Sequence, residues 1–189
     1  MNKQSLPLRG KKIIFAILFL LAFLERVAFD LGPNFEFVTG AMLLAAAYLG
    51  IRYSFSLVLA VMILSDLILG NTNIFLFTWS GFLIPALVAS KVLTKAKNKI
   101  ISGSFAGIAT SLFFYFWTNF GVWALDSWSM YTNDLNGLIK SYEMGLPFLK
   151  MNLLSTILLV PAGFVLFETY LFIQKSLKEN SYKRIVMLN

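Results

Sequence analysis

Ten side chains in this sequence have the types and neighbours needed to hold a small molecule: Asn34, Asp66, Asn71, Thr78, Trp79, Ser80, Asn119, Trp123, Tyr142 and Asn152. Flat indole and phenol faces can stack on a heterocycle, while amides and hydroxyls read its edge through hydrogen bonds. Covalent chemistry is a poorer fit. The chain has no cysteine and no histidine, which removes disulfides, thiolate nucleophiles, Ser-His and Cys-His catalysis and the commonest zinc ligands. It also shows no glycine-rich phosphate loop, no paired-carboxylate signature and no metal-ligand spacing. The expectation is therefore a binding protein and not an enzyme, with no cofactor and no metal. Asp66 stays open between two readings: a functional carboxylate in an apolar span, or an interfacial side chain reaching water.

The elements that must position these residues are apolar. Of the 189 residues 58% are hydrophobic and only 13% charged, against about a quarter charged in a water-soluble domain. The mean hydropathy is +0.76, and several runs approach the ~20 apolar residues that cross a bilayer. The pattern predicts an all-α integral membrane protein, one transmembrane domain over 1–189. Its six spans fall at 13–30, 37–50, 55–69, 74–93, 100–118 and 148–173, with a polar tail at 174–189. The basic start and first apolar run resemble a signal peptide, but Leu24-Glu25-Arg26-Val27-Ala28 offers no small-x-small cleavage site, so the run is kept as span one. Its end at Arg26 and Asp30 has the i,i+4 spacing of an ion pair.

Charge sets the orientation. With both termini cytoplasmic, the inner segments hold all sixteen basic residues except Arg26, Lys140 and Lys150, while Glu25, Asp30, Glu36, Asp66, Asp126, Asp134 and Glu143 fall on or near the outer side. That asymmetry follows the positive-inside rule. The net charge of +7 is thus explained by topology and anionic lipid, with no need for nucleic acid. The surplus of outer carboxylates argues for a neutral or weakly cationic ligand.

The longest stretch too polar for lipid, TNFGVWALDSWSMYTNDLNGLIKSYEMGLPFL (Thr118 to Leu149), predicts a structured extracellular cap over 119–147, with a short interfacial helix at Leu135–Met144 and Pro147 in the first turn of span six. Trp and Tyr at headgroup depth are expected of any membrane protein; the added density of Asn, Asp and Ser is what suggests a cavity wall. Small residues mark helix-packing faces: Gly40, Ala41 and Ala45 in span two, Gly103 and Gly107 in span five. Packing within the chain is the leading reading of these faces, ahead of docking on another protein.

The stretches PNFEFVTGAMLLAAAYLG, FTWSGFLIPAL, TNFGVW and GLPFLKMNLLSTILLVPAGF are similar to those of an uncharacterised bacterial membrane family. Its layout resembles the substrate-binding S component of energy-coupling-factor vitamin transporters. The resemblance implies capture of a vitamin-like or nucleobase-like molecule by the outer loops, in the cell (cytoplasmic) membrane. It also implies a coupling transmembrane subunit and separate ATPases as partners, besides lipid. One departure is plain: Ala16 and Ala22 lack the Ala-xxx-Ala spacing of span one that docks such proteins, so the small residues of span two or five would have to serve. The alternative is a non-transporting scaffold of the same architecture, of the cell-wall assembly type, with its cavity filled by side chains.

Overall fold

Gly50 and Gly70, with φ of 101° and 81°, stand where two helices meet head to tail and where the second of them ends. Both conformations disfavour any residue with a Cβ. Around these turns the computed structural model describes residues 6–29, 32, 34–70, 72–125 and 129–187, with side chains to 181. Helix α1 (Leu8–Leu24) runs into a π-helical turn (Glu25–Phe29), and α2 (Val38–Leu44) into a second (Ala45–Leu49). Four longer helices follow: α3 (Ile51–Leu69), α4 (Phe75–Leu93), α5 (Lys99–Leu125) and α6 (Leu135–Met187). No strand occurs among the described residues.

Helices α3 to α6 are long and apolar enough to cross a membrane. Leu67, Phe105, Leu166 and Phe172 are among the many large apolar side chains left on the outside, the exterior expected where lipid replaces water. This is the architecture of a multi-pass membrane protein.

Helix α2 departs from the expected span at 37–50. With its π turn it covers Val38–Leu49, about 18 Å at 1.5 Å per residue, well short of the ~30 Å hydrocarbon core. It is instead the centre of the bundle, packed against all five other helices. Every residue from Val38 to Leu49 is buried except Tyr48, which is partly so. A helix that is apolar all round belongs in a core. Two of its carbonyls are covered from neighbouring helices: the Ser54 hydroxyl donates to Met42 O at 3.0 Å and Lys99 Nζ to Ala47 O at 2.6 Å.

The small-residue faces are used inside the chain. An added Cβ at Gly103 would lie 2.4 Å from the Phe164 ring, one at Gly107 2.7 Å from Thr156, and one at Gly40 in contact with Val160. Ala41 and Ala45 are buried. These glycines let α2 and α5 close onto α6, so neither stripe is open to dock a second protein.

The largest difference from expectation is the cap. Helix α5 continues to Leu125 and α6 begins at Leu135, so most of 119–147 is helix. The last helix opens at Leu135 and not near Phe148, and the expected tail beyond 173 continues the same helix. Polar residues do not end α5 because they bond within it: Thr118 Oγ1 donates to Phe114 O and Asn119 Nδ2 to Tyr115 O, both at 2.8 Å. Helix α6 starts on a side-chain cap, with Gly137 N donating to Asp134 Oδ1 at 2.8 Å and Thr132 Oγ1 to the same oxygen at 2.7 Å. Gly137 is required there, since a Cβ would strike Thr132 O. Pro147 sits inside α6; it removes one helical donor, yet the helix runs through it on either side.

Candidate functional site

The C-terminal ends of α1, α3 and α5 meet the N-terminal parts of α4 and α6 at one end of the bundle. Between them lies a cavity of about 350 Å³ lined by Arg26, Asn34, Glu36, Ile74, Thr78, Ser111, Phe114, Tyr115, Thr118, Asn119, Val122, Phe148, Leu149 and Asn152. Apolar rings form part of the wall and a few polar groups converge on it, the usual make-up of a small-molecule site.

Arg26 anchors one side. Its Nε donates to Ser65 Oγ at 2.9 Å and its Nη2 to Asp66 Oδ1 at 3.2 Å, tying the π turn of α1 to α3. Trp79 Nε1 donates to the other Asp66 oxygen at 2.7 Å. Asp66 therefore has a structural partner in Arg26, a pairing between helices that sequence spacing alone could not show. Asp30, the partner expected for Arg26, lies outside the described residues.

Glu36 faces Arg26 from the connection between α1 and α2, outside the helices. Its Oε1 accepts from Asn152 Nδ2 at 2.8 Å and from Thr39 Oγ1 at 3.4 Å. Burial pushes its carboxyl up to about 7, against the pull of the Arg26 guanidinium and the Asn152 amide. Asn152 is 3% exposed, and its Nδ2 also reaches Asn34 O at 3.5 Å. Its Oδ1 is the one buried side-chain polar atom among the described residues with no hydrogen-bond partner. Both neighbours of Nδ2 are acceptors, so the amide orientation is fixed and the oxygen is left for something else. Asn34, held at φ 59°, takes the left-handed conformation that asparagine tolerates best after glycine.

Of the ten residues singled out in the sequence, Asn34, Thr78, Asn119 and Asn152 line this cavity. Asp66 and Trp79 stand one layer behind it through Arg26. Ser80 accepts from Trp117 Nε1 at 2.8 Å, Trp123 donates to Thr132 O at 3.1 Å, and the Tyr142 ring packs on Tyr115 and Phe116; none of the three reaches the cavity. Asn71 lies outside the described residues. Sequence reasoning missed Arg26 and Glu36 as site residues. The available signal was Arg26 itself, a basic residue on the acid-rich side of the chain.

Asn119 owes its place to Gly145, where a Cβ would come within 2.4 Å of its amide. The atom in the way is the end of a side chain, so Gly145→Ala is expected to leave the fold standing and to swing Asn119 off its present position. Any ligand of the cavity should then bind several-fold more weakly while the melting temperature of the ligand-free protein stays near that of the wild type. A ligand affinity unchanged by Gly145→Ala would remove Asn119 from the site.

Fold and cavity together define a class: a helical, multi-pass membrane-type protein with a polar pocket at one end of its bundle. The chain belongs to the family of unknown function DUF6580, whose pattern matches residues 8–180. Comparison with curated proteins and with solved structures gives no match.

Proposed function

We propose that this chain is the substrate-binding membrane subunit of an uptake system for a small, neutral or weakly cationic, partly aromatic molecule. In this reading the cavity faces the outside of the cytoplasmic membrane. All six helices belong to the membrane domain, α2 as a short central helix shielded by the others. Both termini are cytoplasmic. Support for that orientation comes from the end opposite the cavity, where Arg9, Lys11, Lys12, Arg52, Lys91, Lys95, Lys97 and Lys99 gather at helix ends. In this reading the energy for uptake comes from a coupling subunit and separate ATPases. Those partners must contact surfaces other than the α2 and α5 small-residue stripes, which α6 already covers.

The observation that carries the reading is the open, polar cavity with an unsatisfied buried acceptor at Asn152. A scaffold of the same architecture has no use for such a void, and its cavity would be packed by side chains.

The test is thermal melting of the purified protein in detergent against a broad panel of vitamins, nucleobases and amines. A true ligand stabilises by mass action, by about 2.7 kcal/mol at a hundred times its Kd. Asn119→Ala is expected to weaken that ligand about tenfold, the worth of roughly one hydrogen bond. A panel with no stabilising member would count against uptake and in favour of the scaffold.

A further inference from the structure

We infer that the cavity selects an organic cation bearing N–H donors, recognised by the Glu36 carboxylate together with the unpaired Oδ1 of Asn152. The inference rests on the reading of the cavity as a ligand site and narrows the class of its substrate.

Three observations converge on it. The first is the charge around the site. Glu25, Glu36 and Asp66 are grouped about Arg26, and Arg26 is already bonded to Ser65 and Asp66. Of these only Arg26 and Glu36 line the cavity; Arg26 shares its charge with Asp66 behind it, which leaves the Glu36 carboxylate to repel an entering anion and to attract a cation. The second is the supply of acceptors. Glu36 Oε1 takes both hydrogen bonds that reach this carboxylate, from Asn152 and Thr39, so Oε2 accepts none among the described residues. Asn152 Oδ1 likewise accepts none, and it is buried in the wall. A cation with several N–H groups has a donor for each of these oxygens, whereas a ligand offering only acceptors leaves the Asn152 oxygen stranded. The third is the apolar part of the wall. Phe114, Tyr115 and Phe148 give a flat organic cation surfaces to lie against, which a hydrated metal ion would not use.

Protonation supports the same choice. Burial raises the Glu36 carboxyl to about 7. The titratable and charged groups that face it are Glu25 and Arg26 from the end of α1, Asp66 of α3 behind Arg26, and Tyr115 of α5; α2 and α6 contribute the neutral Thr39 and Asn152. A bound cation favours the ionised carboxylate and lowers its pKa. Binding below pH 7 must therefore expel a proton, and affinity falls as pH drops through 7, by up to about tenfold per unit.

Three probes of one shape separate the possibilities: benzamidine, benzamide and benzoate, a cation, a neutral amide and an anion. With the full-length protein in detergent at pH 8, benzamidine is expected to raise the melting temperature most and benzoate least. Glu36→Gln, close in shape, should weaken benzamidine at least tenfold and leave benzamide nearly unchanged. On the wild-type protein, calorimetry at pH 6 in buffers of different ionisation heat should show proton release on benzamidine binding, and at pH 8 none. Benzamide or benzoate binding as well as benzamidine, or benzamidine binding unmoved by Glu36→Gln and without proton release, overturns the cation inference and leaves the cavity as a ligand site. Silence from all three probes, with a hit elsewhere in the broad panel that carries no positive charge, does the same. Silence across the whole panel takes both readings down.

Discussion

Replacing Arg26 with methionine is expected to destabilise the protein by about 3 kcal/mol, the low end of the range for breaking a buried ion pair by removing one partner. The low end applies because the Arg26 side chain is 23% exposed, while that of Asp66 is 11%. The loss has two parts. Asp66, in the last turn of an apolar helix, is deprived of the guanidinium that accompanies its charge, and Glu36 loses the cation whose field opposes the cost of its burial. Asp66→Asn alone should cost less, because Arg26 then still faces Glu36. The double variant Arg26→Met with Asp66→Asn should recover much of the single-variant loss. Residues in one ion-pair network couple by about 0.5–3 kcal/mol, and a double-mutant cycle on melting in detergent reads that coupling. If Arg26→Met melts with the wild type, or if the double variant is no better than the single, the pair does not hold α1 to α3 in the way described.

The same pair shows what could be seen in the sequence and what could not. Hydropathy locates α3, α4 and the apolar parts of α5 and α6 because the pattern of a span is local: some twenty residues with few charges. Charge sidedness likewise placed Asn34, Thr78, Asn119 and Asn152 at one end of the bundle, since position along alternating helices decides that. Which of the polar residues at that end turn toward one another depends on helix rotation and on contacts between residues far apart in sequence. Arg26 and Asp66 are forty positions apart, Glu36 and Asn152 more than a hundred. No spacing rule reaches so far. Trp79, Ser80 and Tyr142 had the right chemistry at the right end and face elsewhere.

The cap differs for another reason, although the helix expected from Leu135 does begin there. Polar density suggests a loop from 119 onward, yet Thr118 and Asn119 turn their hydrogen bonds onto their own helix, so α5 continues through them. The twelve residues of α2 and its π turn have the composition of a span because burial in protein and burial in lipid select the same side chains. Only length separates the two, and glycine and alanine content at Gly40, Ala41 and Ala45 was the sign that protein surrounds it.

Gly103→Ala is expected to have the second large effect, and it bears on how α6 is seated. Phe164 is fully buried, and a Cβ at Gly103 would lie 2.4, 2.6 and 2.8 Å from three atoms of its ring. Real carbon contacts do not close that far, so either the ring leaves its rotamer or the two helices separate. The ring has little freedom: Tyr48 packs on it with centroids 5.8 Å apart, and Tyr48 is itself held by its hydroxyl donating to Glu168 at 2.6 Å. Separation of α5 and α6 would also strain the Ser111–Thr156 hydroxyl bond of 2.8 Å beside the cavity. Overpacking a filled core costs about 1–3 kcal/mol, and the upper part of that range is expected here. Phe164→Leu, which by itself leaves a void, should partly rescue Gly103→Ala by making room for the methyl group. Rescue is the informative arm, because a glycine kept only for backbone flexibility would lose stability on mutation regardless of what stands at position 164.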